Sequence, residues 1–248
     1  MLRHPGEGRD PGGQRTDAET GLTPEQLRKL LAWLSPAFPV GGYSYSHGLE
    51  WAIEDGTVTD PARLHAWIRD ILCHGAGRSD AIVFLHAWRA ADEADLAALA
   101  GIAELAAAFQ PSRERHLETT AQGRAFLAAV TAAWPAGRLT ALLAALSDPA
   151  VPYAVAVAIA AAAHDIPAAP AVAAFLNAFA ANLVSAGVRA IPIGQTDGLR
   201  IVAAIGDTID AIISEAATLS LDDLGGAALR ADIASMRHET QYTRLFRS

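Results

Sequence analysis

Apolar positions recur every three or four residues along most of the chain, in runs of helical rather than strand length. Thr23 before Pro24 and Glu25 reads as a helix start. It offers a capping hydroxyl, a proline whose missing donor costs nothing in the first turn, and an acid near the positive end of the dipole. Leu27, Leu30, Leu31 and Leu34 form one stripe that ends at Pro36. A second helix is predicted from about Ser44 to Glu54. A third starts at Thr59-Asp60-Pro61, with Leu64, Trp67, Ile68, Ile71 and Leu72 on one buried face. Gly75 and Gly77 are expected to break the chain before a fourth helix that opens at Ser79-Asp80 and carries Ile82, Leu85, His86 and Trp88. The fifth covers roughly 94–109. Ser112 caps the sixth without a capping box, because Arg115 stands where a Glu or Gln would be needed. Leu117, Ala121, Leu127, Val130 and Trp134 are expected on its inner face. Further helices are predicted over about 138–146, 152–164 and 170–186. After a connector at Arg189 to Thr196 comes a helix with Val202, Ile205, Gly206, Ile209, Ile212 and Ile213 in register. The last helix is placed at about 221–234, ahead of a polar tail.

Alternating runs of β-branched and aromatic residues are nearly absent, and no repeat of about 30–45 residues recurs. The expectation is an all-α, single-domain bundle of about ten helices over residues 22–248, with 235–248 as its tail. Residues 1–21 are rich in Gly, Pro and Arg and read as a disordered leader. The apolar share is 52%, mostly Ala and Leu, enough for a sizeable core, although length alone leaves one or two domains open. A formal charge of −8 disfavours nucleic acid as a partner. Cys73 is the single cysteine, so no internal disulfide can form. With no apolar secretory segment near the N-terminus, this suits a reducing, cytoplasmic compartment. The stretch 168–188 has the length of a membrane span, but it is alanine-rich and carries Asn177, Asn182 and Ser185; a buried helix is expected there.

Several chemistries are excluded by motif. There is no G-x-x-x-x-G-K-[ST], no G-x-S-x-G, no H-E-x-x-H and no C-x-x-C. Cys73-His74 is the nearest approach to a metal pair, but helix neighbours point about 100° apart and a structural role is expected. His86, among Ile82, Leu85 and Ala90, is expected to be partnered and half-buried. His47 differs: it lies beside Gly41-Gly42 with Tyr43, Tyr45 and Glu50 close in sequence, and both a functional contact and local hydrogen bonding stay open for it. Ser46-His47 is not read as nucleophile and base, because a base must approach its hydroxyl in space and no acidic orienter is identifiable.

Two segments carry more chemistry than a connector or a chain end requires. Ser35 to Trp51 sets two prolines and a Gly-Gly pair against aromatics, hydroxyls, a histidine and a glutamate. Ser235 to Ser248 is locally basic within an acidic protein and mixes Arg with Met, Tyr, Leu and Phe, types enriched at interface cores. A frayed terminus is the plain alternative for it.

Three segments, in order, resemble the urease accessory protein UreF family: Leu34-Ser35-Pro36-Ala37-Phe38-Pro39-Val40-Gly41-Gly42-Tyr43-Ser44-Tyr45-Ser46-His47-Gly48-Leu49-Glu50, then Arg189-Ala190-Ile191-Pro192-Ile193-Gly194-Gln195-Thr196-Asp197, then Met236 to Ser248. Ser112-Arg113-Glu114-Arg115 is similar to the family's start of a central helix. The resemblance covers about 22–248. It implies an all-α homodimer without catalytic activity or cofactor. Such a protein binds UreD (UreH in some organisms), recruits the GTPase UreG and gates its GTP hydrolysis. It also serves nickel loading of the urease apoprotein, with an internal route for the ion and a C-terminal segment that orders on UreD/UreH.

On the matching positions, the residues expected at partner faces or along the passage are Gly41, Gly42, Tyr43, Ser44, Tyr45, His47, Glu50, Arg113, Glu114, Arg189, Gln195, Arg237, His238, Glu239, Tyr242, Arg244 and Phe246. His47 is a candidate for transient nickel contact, and no tight metal site is expected. The lack of a P-loop agrees, since the GTPase must then be another chain. Two rivals are a nickel carrier that binds the ion tightly and a helical enzyme with Tyr43, Tyr45, His47 and Glu50 around one concave pocket. A membrane-associated bundle is a third.

Overall fold

The structure, a computed structural model, describes residues 21–144, 146 and 150–247. The leader expected at 1–21 lies, apart from Gly21, outside the described residues, as does Ser248. Among the described residues there are eleven α-helices and no strand. They are α1 (Pro24–Trp33), α2 (Leu49–Glu54), α3 (Pro61–His74), α4 (Ala76–Asp92), α5 (Leu96–Ala108), α6 (Arg113–Ala133), α7 (Gly137–Ala144), α8 (Tyr153–Ala163), α9 (Ala168–Ala190), α10 (Gln195–Ala216) and α11 (Leu229–His238). Short 3-10 turns cover Gly42–Ser44 and Leu221–Asp223.

The fold is organised around α8. Its sequence, YAVAVAIAAAA, is apolar on every side, and Ala154 through Ala163 are all buried. A helix with no polar face has to be enclosed, and its alanines let α4 and α6 approach closely on two sides. α9 packs on α8, α4 and α10, and α3 packs on α4 and α10. α1 is fastened by aromatics: Trp33, fully buried, meets Phe126 and Trp134 edge-on at 6.0 Å between ring centroids. Such pairs add roughly 0.5–1.5 kcal/mol each beyond area burial. α9 is the one helix among the described residues long and apolar enough to cross a membrane by length and composition, but 50% of that apolar window is buried inside the bundle.

Several sequence expectations change. The second helix does not start at Ser44: after the 3-10 turn, residues 45–48 are irregular, with positive φ at His47 (57°) and Gly48 (73°), and α2 begins at Leu49. Gly77 does not break the chain. It lies inside α4, where a Cβ would come within 2.6 Å of the Leu72 Cα, so the glycine serves close approach at the α3–α4 corner. α6 is rotated relative to the expectation. Leu117 and Ala121 face outward, and the buried face begins with Arg115, Glu118, Thr119 and Gln122. The last helix runs over 229–238, because Gly225 and Gly226 intervene after the short turn at 221–223.

Candidate functional site

The chain leaves α1 through Pro36 and Pro39 and turns at Gly41, whose φ of 71° suits a residue without Cβ. The Ser44 hydroxyl donates to the Gly41 carbonyl at 2.7 Å, closing the turn. At the end of the bend, a Cβ on Gly48 would sit 2.5 Å from the Ser235 amide nitrogen. The backbone of α11 is therefore pressed against the bend. That contact, with the burial of His47, holds the strained left-handed pair in place.

Glu50 follows in the first turn of α2, where the helix dipole favours an acid. Its carboxylate accepts from the backbone amides of Leu245 (2.5 Å) and Phe246 (2.9 Å) and faces His238 Nε2 at 3.0 Å. Glu114, in the first turn of α6, faces His238 Nδ1 at 2.7 Å with one oxygen and takes Arg244 Nη1 at 2.8 Å with the other. His238 is fully buried between the two carboxylates. Glu239 accepts from the Arg113 amide at 3.0 Å and so caps α6 from another helix. Ser112 and Ser235 share a hydrogen bond of 2.7 Å, Gln241 donates to Glu54, and the Arg247 amide donates to the Ser44 carbonyl at 2.7 Å. Arg189, near the end of α9, donates to the Tyr43 carbonyl at 2.8 Å and lies 4.5 Å over the Phe246 ring.

Bend and tail thus form one assembly. It contains Gly41, Gly42, Tyr43, Ser44, Glu50, Arg113, Glu114, Arg189, His238, Glu239, Arg244 and Phe246. Tyr45 is buried beneath it and accepts from Asn182 at its carbonyl. Gln195 is exposed at the start of α10 and makes no hydrogen bond to the assembly. The Arg237 and Tyr242 side chains point outward. The tail, expected as a docking segment, turns His238 and Phe246 inward onto its own chain, leaving Met236, Tyr242 and Leu245 exposed. With Leu229 and Ile233, Met236 makes an exposed apolar stripe along α11 at helical spacing.

A second cluster was not foreseen. His47 Nδ1 lies 2.8 Å from Arg115 Nη1 and 3.1 Å from Glu118 Oε1; Arg115 pairs with Glu118, and Gln122 donates to Glu118 at 3.1 Å. All four are buried. Burial, and then the Arg115 charge, push the His47 pKa down, with Glu118 opposing. The imidazole is therefore neutral, and Arg115 donates to Nδ1, which places the ring proton on Nε2, a buried atom with no partner. Asp80 lies nearby; burial pushes its pKa up from 3.8 to about 6, against the pull of Arg115 and reinforced by Glu118. The cluster floors a cavity of about 680 Å³ between α1 and α9, walled by Leu30, Leu34, Val40 and Phe179. His47 and Arg115 also line a space of about 20 Å³ that reaches Asp232 and Ser235, so the two side chains stand between the two spaces.

Among the described residues there is no group of three or more His, Cys, Asp or Glu placed to hold a metal ion. Of the two ring nitrogens of His47, Arg115 occupies one. Tyr43 and His47 line the large cavity whereas Tyr45 and Glu50 do not, so these four residues do not share one pocket. His86 is half-buried and bonded to the Leu219 carbonyl at 2.9 Å, as expected.

Comparison with known proteins fits this architecture. A family model described as UreF matches residues 58–206. Among curated relatives, one described as urease accessory protein UreF from Rhodopseudomonas palustris (strain BisB5) is 51% identical over 236 residues, 94% of this chain and 97% of the relative. Its counterpart in Azorhizobium caulinodans is 53% identical over 233 residues, 94% of this chain and 100% of the relative. That of Xanthobacter autotrophicus is 54% identical over 236 residues, 95% of both.

Proposed function

The chain belongs to the UreF family of urease accessory proteins, with a role in urease maturation, and from that premise we propose that it is a non-catalytic cytoplasmic scaffold. In this reading it forms a homodimer, binds UreD/UreH, and with it recruits and regulates the GTPase UreG so that nickel reaches the urease apoprotein. The observation that carries the reading is the joining of bend and tail into one face. The segments richest in interface residue types meet around Glu50 and Glu114, and they leave Tyr43, Met236, Tyr242 and Leu245 exposed, Met236 continuing the Leu229–Ile233 stripe along α11. An exposed apolar stripe rimmed by arginines is the usual form of a protein docking surface.

The cavity supports a place for this chain on the nickel route. Nickel is cargo here, and a passage needs oxygen and nitrogen atoms that bind it weakly. Asp80 supplies such an atom, and His47 Nε2 supplies one when its proton shifts to Nδ1, where Glu118 can accept it, while Arg115 opposes retention of a divalent ion. The test is co-purification. A full-length chain carrying Ile233→Ala, Met236→Ala, Tyr242→Ala and Leu245→Ala is expected to fold and lose UreD/UreH capture at least tenfold. Wild-type capture by that variant overturns the docking assignment.

A further inference from the structure

We propose that the cavity between α1 and α9 is a binding site for a small organic cation, an ammonium group on an apolar body, with Asp80 as its counter-ion. The case starts from what each polar group of the cavity floor already holds. Arg115 is paired with Glu118 and donates to His47. Gln122 donates to Glu118, and the Thr119 hydroxyl accepts from the Tyr153 amide. Two groups are left over. Among the described residues Asp80 makes no hydrogen bond and no ion pair, and the Tyr153 hydroxyl makes no hydrogen bond. Both residues are half-buried and line the cavity. Buried polar groups ordinarily have partners, so two orphans facing one space point to a ligand that supplies them.

The charge of the floor selects the sign of that ligand. Arg115 and Glu118 cancel and His47 is neutral, which leaves Asp80 one negative charge without a counter-charge. Burial raises the Asp80 pKa to about 6, only partly offset by Arg115. An ammonium group supplies the missing charge, and one of its remaining N–H donors can serve the Tyr153 oxygen. The walls select the rest of the molecule. Leu30, Leu34, Val40 and Phe179 can bury an apolar body, and the exposed Leu31 gives the mouth an apolar lip. About 680 Å³ is room for a whole small molecule rather than one inserted side chain. A bare nickel ion on the route proposed above would leave most of that volume and the apolar wall unused, so this site goes beyond that route and does not depend on it.

The experiment is isothermal titration calorimetry of the full chain at about pH 8, where an alkylammonium is charged and Asp80 is ionised. The probe is octylammonium chloride, with octanol and sodium octanoate as the neutral and anionic probes of the same length. Octylammonium is expected to show a single saturable site and to bind about tenfold or more tighter than either of the others. Asp80→Asn, its fold checked by circular dichroism, is expected to weaken octylammonium by about tenfold or more and to leave octanol unchanged. Ala178→Trp, which fills the groove from α9, is expected to abolish binding of all the probes. No saturable binding of octylammonium to the wild type overturns the proposal. Equal affinity for octylammonium and octanol, or octylammonium binding unchanged in Asp80→Asn or in Ala178→Trp, does the same.

Discussion

Two buried histidines lie on either side of the Gly48–α11 contact, and their surroundings are opposite. His47 sits against an arginine, accepts from it and is neutral; His238 sits between two carboxylates, one facing each ring nitrogen. The first closes off a cavity and leaves one nitrogen unused. The second uses both nitrogens and ties three helices and the tail together. Residue type and burial are the same, so neighbouring charge alone decides whether an imidazole acts as part of a wall or as a clamp.

Perturbing either cluster tests that contrast. The largest effect is expected from Glu118→Leu, which leaves Arg115 buried without its counter-charge. Removal of one partner of a buried ion pair costs about 3–5 kcal/mol, read by denaturant unfolding. His238→Asn cannot span two carboxylates and is expected to lose about 2–3 kcal/mol, together with protection of the tail amides from hydrogen exchange. Gly48→Ala forces a Cβ onto the Ser235 amide at positive φ and is expected to cost about 1–3 kcal/mol, loosening the His238 side first. His47→Asn keeps a residue tolerant of positive φ and an oxygen for Arg115 to donate to, so it is expected to stay within about 1 kcal/mol of wild type. Equal losses from the two histidine-to-asparagine changes would erase the distinction.

The pH arms are the smallest and the most specific. Asp80 has its folded pKa raised from 3.8 to about 6, so its contribution is full below the lower value and is lost as pH rises to the upper one. Melting temperature should step down across that window, and Asp80→Asn should remove the step. His47 has its folded pKa lowered from 6.5, so its contribution is present above 6.5 and is lost as pH falls below it. His47→Asn should remove that acid-side loss.

What could be read from the sequence follows the same divide. α1 and α3 announce themselves through caps and apolar periodicity, α10 through periodicity alone and α8 as an unbroken apolar run, because these signals are local in sequence. The chemistry of the bend and tail was visible as residue types, but not their mutual contact, which closes over 195 residues at Leu245 and Glu50. Arg115, Glu118 and Gln122 went unrecognised because polar residues on a helix ordinarily face water. Here that face is turned inward against His47 and Asp80. Only their three- and four-residue spacing hinted that they share one side. The α2 boundary failed because strain at His47 and Gly48 is imposed by α11, a partner far along the chain.

The Glu239 cap on α6 has an implication for assembly order. The first turn of a central helix receives its acceptor from the far end of α11, and Glu50 receives its amides later still. During synthesis the core can therefore close around α8 while the Glu50 carboxylate and the Arg113 amide still have only water to satisfy them. The nascent protein would then show a loose, charged end that vanishes once the last segment emerges and threads back across it.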